Sequence, residues 1–113
     1  MLLEEFIKRQ FKVRDAAHRA HWVTNSGYRH ETLSEFYTGV VKQADKIVEA
    51  SVAAFGDKPK GDDEAITAEI RDQLIWLAKN RSALAREVPA LENLVDEVSA
   101  FYLNTLYKLE NLR

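Results

Sequence analysis

Residues 21–49 read HWVTNSGYRHETLSEFYTGVVKQADKIVE, and this stretch decides the fold. Its first part is a loop signal. Asn25-Ser26-Gly27 is a good helix stop, with Gly27 free to take positive φ. Its second part is the longest uninterrupted helical pattern in the chain. Leu33, Phe36, Tyr37, Val40, Val41, Ala44, Ile47 and Val48 recur on one apolar stripe, which continues to Phe55. The start of that helix has two readings. Thr32-Leu33-Ser34-Glu35 matches a capping box and leaves His30 just outside the helix. Ser26 as the cap instead places His30 in the first turn.

Working outward, the same period predicts helix 1 over 2–24, helix 2 over 29–55, helix 3 over 63–87 and helix 4 over 89–112. Leu3, Phe6, Ile7, Val13, Ala17, Ala20 and His21 mark the buried side of helix 1. Ile66, Ile70, Leu74, Leu77 and Leu84 mark that of helix 3, with Trp76 off the stripe and in reach of a subunit contact. Leu91, Leu94, Val95, Val98, Phe101, Tyr102, Leu106, Leu109 and Leu112 mark that of helix 4. Asp62-Asp63-Glu64 suits a helix N-terminus. Pro89 either ends or kinks helix 3, or opens helix 4. No stretch reads as a strand. Helix 2 would be ~36 Å long, whereas residues 56–62 span at most ~25 Å fully extended. Helix 3 is therefore expected antiparallel to helix 2. The expected fold is all-α: a single helical domain, 1–113, folded as an antiparallel four-helix bundle.

Composition narrows the function. There is no cysteine, so thiolate metal sites, disulfides and Cys nucleophiles are excluded, and any metal must be held by His and carboxylates. A formal charge of −2 argues against a dedicated nucleic-acid binder. The local exception is Lys8, Arg9, Lys12, Arg14 and Arg19 against Asp15 alone. No apolar run approaches a membrane span. Glu4 and Glu5 interrupt any leader-like core after Met1-Leu2-Leu3, so the expected location is the cytoplasm.

The chemistry-bearing residues are His21 and His30 on either side of the loop, and Asp45 and Glu49 one turn apart on helix 2. Two imidazoles and two carboxylates suit Fe(II), Mn(II) or Zn(II). Glu31 and Glu35 are candidate extra ligands, or groups that orient the His30 ring. Ordinary roles compete with these. The imidazoles could each donate to a carbonyl at the turn, and the carboxylates with Lys42 and Lys46 could be an ordinary charged helix face, each lysine three residues from a carboxylate. His18 reads as an ordinary surface or core residue, and Trp22, Tyr28 and Tyr37 as core and interface aromatics.

The run His21-Trp22 … His30-Glu31-Thr32-Leu33-Ser34-Glu35-Phe36-Tyr37 … Ala44-Asp45-Lys46-Ile47-Val48-Glu49 resembles the Dps family, the ferritin-like mini-ferritins, over about residues 18–60. The resemblance implies a ferritin-like hairpin for helices 1 and 2, with a short connection at 56–62 in place of the ferritin crossover. It implies a homo-dimer or higher homo-oligomer. It also implies a ferroxidase site at the two-fold interface, with His21 and His30 from one subunit and Asp45 and Glu49 from the other. The expected cargo is iron, oxidised from Fe(II) and sequestered. DNA coating, which that family associates with a basic terminal tail, is not expected of this sequence. A second expectation, of a different class, is a non-catalytic helical interaction module built on the same scaffold, binding a protein partner or an anionic ligand.

Overall fold

The computed structural model describes residues 2–112, and all of its regular structure is helical. The helices are α1 (Leu2–Val23), α2 (Gly27–Phe55), α3 (Ala65–Ala85) and α4 (Pro89–Asn111). The expected all-α, four-helix chain is what forms, with every boundary within two residues of its sequence reading. No helix is long and apolar enough to cross a membrane. The chain divides into two compact units, Met1–Lys60 and Gly61–Arg113, each holding one helical hairpin.

In the first unit, Ser26 decides where α2 begins. Its backbone is extended at φ −94°, and its hydroxyl accepts a hydrogen bond from the Arg29 amide at 3.2 Å. That satisfies one of the orphan donors of a helix start. The Ser26 reading is therefore correct and the Thr32 capping box is not. The helix starts two residues earlier than the expected 29, because the cap lies earlier. Gly27 is the first residue of α2 rather than a left-handed stop, so its expected positive φ is not realised. Residues 24–26 alone join α1 to α2, which makes the pair antiparallel. Leu3 and Ala17 of α1 and Val40 and Ala44 of α2 are buried between them. Gly56 ends α2 in the left-handed conformation (φ 68°), and its amide bonds the Val52 carbonyl at 2.9 Å. Beyond it, the Lys60 amide donates to Glu4 of α1 at 2.6 Å.

In the second unit, one Asp62 carboxylate oxygen accepts from the Glu64 and Ala65 amides at 3.0 and 2.9 Å, which starts α3 two residues later than expected. At the far end, Arg86 and Glu87 both take positive φ, 48° and 66°. This turns the chain so that Pro89 can open α4, where its missing N–H is harmless. Arg81 grips Asp96 with two hydrogen bonds, 2.7 and 2.9 Å, and reaches Glu92 at 3.1 Å. The hydrogen bond from Arg81 holds the Asp96 carboxyl below its usual range, and Asp96 in turn raises the Arg81 guanidinium. Arg71 pairs with Glu110 further along. Both pairings require antiparallel helices. Ala85 and Leu106 are the buried apolar residues of this hairpin.

Candidate functional site

His21 lies in the last turn of α1, and His30 in the first turn of α2. A short, well-capped turn between them brings the two rings face to face. Their centroids are 3.7 Å apart and their planes 22° from parallel. The contact is held by two reciprocal hydrogen bonds. The His21 Nδ1 bonds the His30 carbonyl at 2.7 Å, and the His30 Nδ1 bonds the His21 carbonyl at 2.9 Å. A carbonyl only accepts, so each Nδ1 must carry the proton. The His21 carbonyl is one of the last-turn acceptors that α1 cannot satisfy by itself, so His30 also caps α1. The expected donation to turn carbonyls is therefore observed, and made by both rings at once.

The tautomer has a chemical consequence. With Nδ1–H committed to a carbonyl, Nε2 is the free donor atom of each ring in its neutral form. This is the arrangement in which histidine binds metals, its ring oriented by a carbonyl behind it. The stacking sets a limit. A metal bound by imidazole lies in the ring plane at ~2.1 Å from nitrogen. An ion equidistant from two stacked rings would sit far outside both planes. The pair offers one donor each and is not a chelate as it stands.

The cluster extends along α1 and α2. His18 stacks on Tyr37 at 3.9 Å and 13°, and lies 4.4 Å from the Trp22 ring. Tyr37 meets His21 edge-on at 5.5 Å. His18 thus belongs to the site neighbourhood, which the sequence reading passed over. The signal was there, since His18, His21 and Trp22 stand three and four residues apart. Trp22 is 65% exposed and Tyr28 80%, so neither is a core residue of its hairpin.

The carboxylates stand apart from the imidazoles. Asp45 is fifteen positions beyond His30 on α2, about 22 Å along the axis. Both Asp45 and Glu49 are exposed, and neither forms an ion pair among the described residues, with Lys42 and Lys46 or with any other cation. Glu31 and Glu35 are exposed as well, and the His30 Nδ1 is oriented by the His21 carbonyl rather than by either of them. No group of three or more metal-ligating side chains converges among the described residues of a single chain. The donor set suits a borderline-to-hard divalent ion, and one chain holds it in two separate halves.

No curated protein and no solved structure matches this chain. A family model does, over residues 21–109, most of the chain, including both turn histidines, all of α2 and α3, and nearly all of α4. The protein belongs to DUF5856, a family of unknown function.

Proposed function

We propose that this protein is a Dps-like iron-binding protein, a candidate ferroxidase whose site is completed between two copies of the chain. His21 and His30 of one copy and Asp45 and Glu49 of the other would hold Fe(II) as substrate. The observation that carries the reading is the reciprocal His21–His30 hydrogen bonding, which fixes two ring orientations and leaves both Nε2 atoms as donors. Register supports it. At 100° per residue, Asp45 stands about 60° around α2 from His30, and Glu49 about 40° further. Two copies of α2 packed antiparallel about Thr38, midway between His30 and Asp45, would bring each histidine level with the other copy's carboxylates. Fe(II) would give one electron to O₂ or peroxide, and the carboxylates would offset the added charge of the Fe(III) product. His18 and Tyr37 stand beside the His21 ring, with centroids 6.1 and 5.5 Å away. Glu31 and Glu35, in the first turns of α2, remain candidate further ligands.

Anaerobic Fe(II) titration followed by admission of air tests the reading, with near-ultraviolet absorbance reporting ferric oxo species. About one or two irons per interface are expected, with oxidation lost in His30→Ala. Asp45→Asn should abolish uptake. Unchanged stoichiometry in Asp45→Asn would remove that residue from the ligand set and the proposal with it.

A second reading is favoured by one observation. Large apolar side chains such as Phe55 (79% exposed) and Phe101 (68%) are left open. Under it, the chain is a non-catalytic interaction module that binds a protein partner through its helices. It would take up no Fe(II), and Asp45→Asn would leave its assembly unchanged.

A further inference from the structure

The second unit has two unlike sides. On one side, Arg81, Glu92, Asp96, Arg71 and Glu110 tie α3 to α4. On the other is an apolar groove of about 300 Å³ lined by Leu77, Leu84, Leu91, Leu94, Val95 and Val98. No charged residue lines it. Glu92, Asp96 and Glu110 stand about 120–160° around α4 from Val98 at 100° per residue. The groove side chains are open despite their chemistry, Leu84 at 46% and Leu94 at 54%, and so is Phe101, one turn beyond Val98, at 68%. Their spacing is that of a helix seam. Leu91, Leu94, Val98 and Phe101 alternate by three and four along α4, and Leu77 and Leu84 are seven apart on α3. A strip this regular is built to meet other helices.

We infer that the α3–α4 groove is a self-association surface, and that its occupant is the same groove of a second copy, the two hairpins together closing a four-helix core. Area agrees. A face the length of α3, about 31 Å, and two helices wide, roughly 20 Å, offers roughly 600 Å². That is at the low end of what each partner contributes to a stable interface. Charge agrees as well, because an uncharged groove meets its own copy without repulsion. Gln73 and Asn80, at the two interleaved positions on α3, add the third argument. Asn80 gives one amide hydrogen to the Trp76 carbonyl at 2.9 Å and keeps its Oδ1 and second hydrogen, so each amide still has a donor and an acceptor for its counterpart across a two-fold axis. Trp76 lies at the groove edge beside Asn80 and Leu84, half exposed, where a second copy would cover it. The surface belongs to the second unit alone and stands whether or not iron binds at the first.

Sedimentation equilibrium of the full chain tests the inference, with Trp76 emission followed in a Trp22→Phe background. The expected mass is at least twice 13.0 kDa. Leu94→Glu and, separately, Phe101→Lys should halve it and shift Trp76 emission to the red, with helical circular dichroism retained. Dilution of the unsubstituted groove should give the same red shift, so the test stands even if a variant unfolds. A wild type that sediments at 13.0 kDa at every concentration overturns the inference and means another element covers the groove. So does a mass indifferent to both substitutions. His30→Ala and Asp45→Asn should leave this halving intact. Loss of iron uptake in those variants therefore judges the proposed iron site, and loss of mass in Leu94→Glu judges the groove.

Discussion

One hydroxyl sets the geometry on which the histidine pair depends. Ser26 fixes the first turn of α2, and that turn carries His30 over His21. Removing its oxygen leaves an orphan amide at a helix start, which typically costs about 1 kcal/mol. Ser26→Ala should lower stability by that amount in denaturant titration. It should also broaden or shift the imidazole resonances of His21 and His30, because their register relies on the cap. An unchanged denaturation midpoint would mean that the histidine hydrogen bonds, and not Ser26, hold the turn. The site was half legible at this scale. His21, His30, Asp45 and Glu49 could be chosen as ligand types, and donation to turn carbonyls could be foreseen. The stacking could not. It depends on how α1 and α2 cross, and the spacing of ligand types along the chain does not give that angle.

At the scale of elements, helix lengths follow from apolar period, and helix ends from a few polar atoms. The 3.6-residue stripe ran past the true ends of α3 because it cannot see Asp62 capture two amides, or Arg86 and Glu87 leave the helical region. Pro89 was ambiguous for a related reason, since its fixed φ suits either the end of one helix or the first turn of the next. The turn before it, with two successive non-glycine residues in the left-handed region, stores strain. A side chain there costs about 1–2 kcal/mol, and the extra unfolded-chain entropy of glycine returns about 0.5–1 kcal/mol of any relief. Glu87→Gly should therefore raise stability by roughly 0.5–1 kcal/mol, seen as a higher denaturant midpoint with an unchanged slope. A lower midpoint would show that the Glu87 charge, just ahead of the α4 N-terminus, outweighs the strain.

At the scale of the whole molecule, burial is the limiting quantity. Among the described residues, the buried apolar ones are Leu3, Ala17, Val40 and Ala44 in the first unit and Ala85 and Leu106 in the second. Three of the six are alanines, which contribute little apolar area each. A two-helix hairpin has one interior seam, so the apolar stripes that identified the fold lie largely open, among them Phe55, Phe101 and Leu112. Ordering a chain of this length costs on the order of 100 kcal/mol or more in conformational entropy. Half-exposed side chains offset that only when something covers them. If copies of the chain supply the cover, folding and assembly are one equilibrium, and stability follows mass action. The melting temperature should then rise with protein concentration across a hundredfold series, and Leu94→Glu should flatten that dependence. A melting temperature independent of concentration in the wild type would place the cover within one chain. The stripes would then be covered without a second copy, and the iron-site dimer would have to stand on the carboxylate and histidine contacts of α1 and α2 alone.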